Sequence, residues 1–477
     1  MSSNPFFSLQ YVSEMQHNSW LRHPKDQFDN RPNNQPRTNR LAGRRWLRSP
    51  ASQINEVIGT DFKFRIASYN VLAQCYAKNK HFTKSKAEHL RWDVRRKALV
   101  EVINELDADI VCLQEVDNYE KFWLKEMRKL GYTGCYKQRN SPAKFDGCAT
   151  FFRSTVFECM SVSWIEFDSE PDAGGGQQVE GHPDFATHNV ALLTLLRPRL
   201  GSSNVNKCCM CLANAHLFWD PTYEELKIAQ ARALVKGAEE LATSSESKSS
   251  IGWVPIILAG DFNSTPESEV YRYLTSEAGF SSSYVACGLD CKQMDTISLS
   301  NAQLSQSQFE FKTPEKKNPK GEVAPQSNGP PSPELVAKGS ECNASMPNGG
   351  LLFAKPLDPN SPVFKPSSPS MYKSDSRPKN NGDTAGCKDG RPAGTAPGLE
   401  PAFTNYRDMF HGTIDYIMFR AIPVPKRLQT HSGNIQAVSC LSMISELEAQ
   451  NQGGGLPNLK HPSDHLPIAV ELMIQLP

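Results

Sequence analysis

Residues 301–400 hold 15 Pro, 10 Gly and 12 Ser and show no apolar periodicity. A segment of that composition cannot bury enough surface to offset the entropy of ordering it. We read a disordered Pro/Gly/Ser-rich insert over 291–400, and whatever folds must fold around it. Such an insert is tolerable because loop-closure entropy grows slowly with length. A second polar stretch lies at the start, where residues 1–50 carry eight Lys/Arg against three Asp/Glu. Residues 1–60 therefore read as a disordered basic tail. The remaining pieces, 61–290 and 401–477, must complete one another as the first and second parts of a single domain.

Charge and hydropathy exclude several classes. Lys plus Arg is 52 and Asp plus Glu is 51, a net +1. That excludes a wholly basic nucleic-acid packer while leaving room for a local basic groove. No apolar run approaches the ~18–20 residues needed to cross a bilayer, and no apolar stretch of signal-peptide type follows Phe6 and Phe7. No membrane partner is expected, and the expected location is cytoplasm and/or nucleus. The 13 Cys are odd in number and several, such as Cys112, Cys148 and Cys211, sit inside apolar runs. Reduced thiols fit better than a disulfide scaffold. Cys208, Cys209 and Cys211 have poor spacing for zinc. The triple-glycine loop 172–183 lacks the Lys and Ser/Thr of a phosphate-binding loop and reads as a flexible hairpin.

Within the domain, short apolar runs alternate with helical patterns. Strands are expected over 62–71, 108–115, 148–152, 189–196, 210–215, 254–259, 413–419 and 466–474. Helices are expected over 87–106, 119–130, 222–241 and 266–274, the second ended by Gly131 and the last opened by Pro266. Many strands and few helices predict an α/β fold in which two packed sheets, a β-sandwich, are flanked by helices.

The polar residues of interest cluster at strand ends. Asn70 follows the first strand, Glu115 the second, and His216 the strand at 210–215. Asp261 and Asn263 follow 254–259, Asp415 lies at the strand 413–419, and Asp464 and His465 precede the last strand. Singly, each has a bland reading as a turn former, a cap or a core filler. Together they are a set of hard oxygen donors with two histidines. That set suits Mg²⁺, which binds through one or two carboxylates plus water and substrate phosphate. A metal-held phosphate, an Asp to orient water and a His–Asp pair make a phosphodiesterase.

Seven strings then occur in order: Ser-Tyr-Asn-Val-Leu (68–72), Leu-Gln-Glu-Val (113–116), Asp-Gly-Cys-Ala (146–149), Ala-His-Leu-Phe-Trp-Asp-Pro (215–221), Gly-Asp-Phe-Asn-Ser (260–264), Ile-Asp-Tyr-Ile (414–417) and Pro-Ser-Asp-His-Leu (462–466). This resembles the endonuclease/exonuclease/phosphatase superfamily, the fold of pancreatic deoxyribonuclease. Within it the chain resembles the carbon catabolite repressor protein 4 type deadenylases, related to nocturnin and the Angel proteins.

The resemblance implies a DNase I-like fold and a role for each matching position. Glu115, Asn70 and Asp464 are the implied metal residues. Asp261 would orient or activate water. Asn263 would hold the scissile phosphate or nucleotide, and His216 would contact phosphate. His465 would stabilise the transition state with Asp415 as its partner. Pro221 and Phe410 would sandwich the terminal adenine; on residue type alone, Phe410 could equally be core. The implied activity is a Mg²⁺-dependent 3′–5′ exoribonuclease acting on the poly(A) tails of RNA, releasing AMP in mRNA turnover. The alternatives are an Angel-like 2′,3′-cyclic phosphatase on RNA ends, a nocturnin-like dinucleotide phosphatase, and a non-catalytic RNA-binding scaffold. No leucine-rich period of 20–29 residues occurs in 1–60, which speaks against association with the NOT-containing deadenylation complex.

Overall fold

The alternation of Phe62, Phe64 and Ile66 with Lys63 and Arg65 does make a strand: in the computed structural model of the protein it runs Phe62–Asn70, with the apolar positions buried and the charged ones partly exposed. The structure describes residues 40–50 (save 42), 61–169, 186–199, 208–288 (save 245, 246 and 248–252) and 400–475 (save 408, 424–433 and 452–454). The chain divides into two units, Met1–Phe309 with Ala393–Pro477, and Glu310–Pro392. The second unit, the expected insert 291–400 save Glu400, and the loop 172–183 lie outside the described residues; Glu400 is buried and accepts from the Tyr271 hydroxyl at 2.7 Å, so the domain resumes one residue before 401.

The strands of the first piece are β1 (Trp46–Arg48), β2 (Phe62–Asn70), β3 (Ile110–Gln114), β4 (Tyr132–Gln138), β5 (Gly147–Arg153), β6 (Phe157–Glu166), β7 (Val190–Pro198), β8 (Met210–His216), β9 (Trp253–Asp261) and the two-residue β10 (Ser281–Ser282). The second piece adds the short pair β11 (Asn405–Tyr406) and β12 (His411–Gly412), then β13 (Asp415–Pro423), β14 (Asn434–Leu441) and β15 (Ile468–Gln475). One sheet has the order β1-β14-β15-β2-β3-β5-β4, the other β10-β13-β9-β8-β7-β6. Both sheets therefore contain strands from both pieces, so neither piece can complete its sheet alone.

The two sheets share a plan. Each has one parallel pair, β2 with β3 and β8 with β9, and antiparallel neighbours elsewhere. Phe64, Ile66, Cys112, Met210, Leu212, Ile257, Ile417 and Val470 belong to one buried cluster between the sheets. Helix α1 (Trp92–Leu106) covers the outer face of the first sheet through Leu99, Val102, Ile103 and Leu106. After the short α2 (Leu124–Lys129), helix α3 (Glu224–Thr243) covers the second sheet through Ala231, Leu234 and Ala238. Under the future site, Gln114 Nε2 donates to Asn214 Oδ1 across the sandwich at 2.8 Å. That buried amide pair fixes the lateral position of one sheet on the other.

Several expectations need correction. The helix expected over 87–106 breaks at Arg91, which is extended (φ −73°, ψ 136°) and opens α1. Leu90 does not continue the helical stripe; it packs with Leu72, Ala77 and Phe82 in a separate small cluster. The helix expected over 119–130 begins as a wider turn, Tyr119–Trp123, before α2. The helix expected over 266–274 starts later, as α4 (Glu269–Arg272), because the Ser268 hydroxyl accepts the Tyr271 N–H at 3.2 Å and caps it there. The basic start of the chain is not all tail. Trp46–Arg48 pairs with β14, Arg65 stacks over the Trp46 ring at 4.6 Å, and Arg40 pairs with Glu101 at 2.8 Å. The domain thus begins before residue 61. The ten cysteines among the described residues form no disulfide, and Cys208 faces the inter-sheet core while Cys209 and Cys211 face α3. Among the described residues no helix is long and apolar enough to cross a membrane.

One glycine is indispensable. Gly260 has φ +153°, and a Cβ there would lie 2.0 Å from the Ala215 carbonyl oxygen. It separates the strand core from Asp261 and lets β9 press against β8 beside His216. Gly260→Ala is expected to cost about 3–5 kcal/mol by combining backbone strain with a clash that only strand separation relieves. Urea denaturation checks this, and a loss below about 1 kcal/mol would contradict the tight β8–β9 approach.

Candidate active site

Strand order brings the expected residues to one end of the sandwich. β2, β3, β8 and β9 finish there, while β13 and β15 begin there. The register pairs Asp415 directly with Asp261, and His216 with Asp261. Directly opposed carboxylates destabilise a sheet. Their retention at a buried position marks a place where charge is used.

Asp261 Oδ2 is the focus. Asn70 Nδ2 donates to it at 3.0 Å, and the same amide donates to Glu115 Oε1 at 3.0 Å. His216 Nε2 and His465 Nε2 each stand 3.6 Å from this oxygen. That distance is just beyond a direct hydrogen bond and is an ion-pair contact for the charged His465. Glu115 lies just past β3 at φ +55°, and its Oε2 accepts the Ala73 N–H at 2.9 Å. Burial, then the Asp146 and Asp464 carboxylates, push Glu115 up to about 6. Burial and Asp415 likewise raise Asp261, against the lowering pull of His465 and Asn70.

The two histidines are held in different states. His465 Nδ1 lies 2.9 Å from Asp415 Oδ2, which also accepts the Thr404 hydroxyl at 2.6 Å. Burial opposes charge on His465, but Asp415, Asp261 and Asp464 outweigh it and hold the imidazolium well above the ordinary histidine value. His216 is the reverse: burial, then Arg139, His465 and Lys144, hold it neutral. Arg139 Nη2 lies 3.1 Å from His216 Nδ1. Guanidinium can only donate, so Nδ1 accepts and Nε2 carries the proton facing the site. Asp146 sets this up by accepting from Arg139 Nε at 2.9 Å and from the Tyr76 hydroxyl at 2.8 Å.

The remaining expected residues also line this end. Asp464 Oδ2 lies 3.4 Å from both Asn405 Nδ2 and Arg407 Nε. Ser463 ties that loop to β2 by donating to the Asn70 carbonyl at 2.7 Å. Asn263, at φ +47°, donates from Nδ2 to the Leu217 carbonyl at 3.0 Å. Pro221 is exposed in the turn after β8. Phe410 is 41% exposed and packs over Gly412 in the β11–β12 turn, which removes the core reading for it.

Sequence reasoning missed the supporting layer. Asp146 lay within a quoted string, while Arg139 and Thr404 carried no signal of a role; Arg139 acts on His216, Asp146 on Arg139 and Thr404 on Asp415.

The donor set fits a hard cation. Glu115 and Asp261 are carboxylates whose proton affinity is raised by burial first and by neighbouring carboxylates second. Two buried acceptors, Asn405 Oδ1 and Asp415 Oδ1, have no hydrogen-bond donor among the described residues. Asp261, Asp415 and His465 form the tightest group of ligating atoms, all within 4.8 Å. There, however, the Asp415 oxygen already accepts from His465 and Thr404, so this group is a hydrogen-bonded chain first.

Two packed sheets presenting carboxylates, amides and a His–Asp pair at one end define a DNase I-like fold with an acidic site at the strand ends. The chain belongs to the endonuclease/exonuclease/phosphatase family, whose profile matches residues 67–465. Carbon catabolite repressor protein 4 homolog 4 of Arabidopsis thaliana is 35% identical over 236 residues, 45% of this chain and 56% of that protein. Human protein angel homolog 1 is 31% identical over 222 residues, 45% of this chain and 31% of its own length. The chain thus spans about half or less of the curated relatives it matches. The crystal structure of ANGEL2, a 2′,3′-cyclic phosphatase, in complex with adenosine-2′,3′-vanadate shares the fold. Its TM-score is 0.52 at 23% identity, covering 91% of this chain and 99% of that one.

Proposed function

We propose that this protein is a Mg²⁺-dependent 3′–5′ exoribonuclease that shortens poly(A) tails and releases AMP. The convergence on Asp261 Oδ2 carries the reading: one oxygen lies 3.0 Å from the Asn70 amide and 3.6 Å from two histidine nitrogens of opposite charge state. An attacking water hydrogen-bonded to that oxygen would be the nucleophile. Asp261 takes the water's proton as the water oxygen bonds to phosphorus, and the P–O3′ bond to the preceding nucleotide breaks, its oxygen leaving with a proton from solvent. The neutral His216 Nε2–H and the Asn263 amide hold phosphate oxygens. The His465 imidazolium, kept charged by Asp415, faces the negative charge that builds in the transition state. Glu115, Asn70 and Asp464 would hold the cation. The chemistry it supplies is charge neutralisation at the phosphate and a lower pKa for bound water. A relative from Coccidioides immitis named as the 3′–5′-exoribonuclease subunit Ccr4 of the CCR4-Not complex, 29% identical over 265 residues, supports the exonuclease reading.

Pro221 and Phe410 are proposed to clamp the terminal adenine. Phe410→Ala is expected to lower kcat/KM on an oligoadenylate end by roughly 5–100-fold, the worth of one stacked base, and to erase any preference for adenine over uracil. Rates on matched A-ended and U-ended RNAs check this; unchanged discrimination would remove Phe410 from the base site. The activity itself is tested by chromatography of the products from an RNA ending in adenylates, with Mg²⁺ and with EDTA. Metal-dependent 5′-AMP supports the proposal, and inorganic phosphate as the sole product overturns it.

A further inference from the structure

Between Asn70 and α1 the chain makes a loop that neither sheet requires. It has a core of its own: Leu72, Ala77, Phe82 and Leu90 are buried together, and Gln74 Nε2 donates to the Leu90 carbonyl at 2.9 Å. Arg95 of α1 locks it to the catalytic end, donating to the Leu72 and Pro462 carbonyls, each at 2.7 Å. Tight turns follow, His81 N–H to Lys78 O at 2.9 Å and Ser85 N–H to Phe82 O at 3.1 Å. They bury Phe82 and turn its neighbours outward. Those neighbours are basic. Lys78, Lys80, His81, Lys84 and Lys86 are all exposed, and no acidic residue occurs between Asn70 and Glu88. In a chain of net charge +1, this is a local concentration of positive charge.

Arg407 joins this face to the site. Its guanidinium lies over the Phe82 ring at 5.0 Å, and its Nε stands 3.4 Å from Asp464 Oδ2. Burial together with Lys80, Arg407 and Lys78 lowers the proton affinity of His81, as expected for charges sharing one surface.

We propose that the 78–86 face binds the sugar–phosphate backbone of single-stranded RNA on the 5′ side of the scissile phosphate. This rests on the phosphodiesterase reading and extends it: the enzyme grips the body of a polynucleotide, not only its last residue. Continuity with Asp464 through Arg407 favours RNA over an acidic protein. The absence of exposed large apolar side chains among described residues 71–90 disfavours a membrane surface.

The test is the triple variant Lys78→Gln, Lys80→Gln, Lys86→Gln in the full chain, with binding of a long oligoadenylate followed in EDTA across salt concentration. Each lost phosphate contact removes about 0.7 from the slope of log K against log salt, so the slope is expected to fall by about 2 and the Kd at moderate salt to rise about tenfold. With Mg²⁺, the wild-type preference for long RNA over a dinucleotide is expected to shrink by the same factor. A slope and Kd equal to wild type would overturn the proposal. So would normal RNA affinity in the variant together with lost binding to phosphatidylserine vesicles. A wild type that neither binds nor degrades RNA would instead contradict the proposed function itself.

Discussion

Asp261→Asn is expected to lower turnover about 10³-fold, within the range for loss of a positioned base, without lowering the melting temperature. The substitution keeps the shape of the side chain, so the backbone pairing of Asp261 with Asp415 and His216 is untouched. It removes one of two opposed buried carboxylates, which relieves repulsion in the free protein. A site built for function rather than stability behaves in this way. Single-turnover rates and thermal melts measured together separate the two effects. Retained turnover would deny Asp261 its role, and a large drop in melting temperature would show that the carboxylate serves the fold.

Glu115→Gln is expected to weaken divalent-cation binding at least tenfold, the scale on which a metal's immediate surroundings matter. Glutamine has one acceptor oxygen where glutamate has two, so it can accept from the Asn70 amide or the Ala73 N–H but not both, and the variant loses one hydrogen bond together with the charge. The pH dependence gives a second readout. Glu115 sits at about 6 in the metal-free protein, above the ordinary carboxylate value. Its charged form binds the cation. Above pH 6 affinity should therefore be level, and below it protons compete and affinity falls, by about tenfold per pH unit for one displaced proton. In the glutamine variant that limb should vanish. Calorimetric titration with Mg²⁺ between pH 5 and 8 measures both; an identical limb in the variant would place the competing proton elsewhere.

The strand ends were legible because each functional residue closes an apolar run that period and composition reveal. Asn70, Glu115, His216 and Asp261 all follow such runs. Their convergence was not legible, since it depends on strand order and on the parallel pairing of β2 with β3 and of β8 with β9, which no local period records. β4 hides behind Gly134, whose lack of a side chain makes room for Phe151. β6 is an edge strand with exposed Val162 and Trp164, so its alternation is blurred. β14 carries a bulge between Ala437 and Ser439, which shifts the period. Trp46–Arg48 was lost in a polar segment because three residues show no period at all. Arg139 and Thr404 escaped because their work is to set the state of His216 and Asp415, and nothing local to them records that.

The residues gathered at Asp261 are proposed to cleave nucleotides from an RNA 3′ end. The most direct measurement is a gel assay with 5′-labelled RNA ending in adenylates, run with wild type and Asp261→Ala, with Mg²⁺ and with EDTA, beside the same RNA ending in a 2′,3′-cyclic phosphate. A ladder of progressively shorter products that disappears in the variant and in EDTA is expected. Chains of unchanged length that lose only the cyclic end would contradict it.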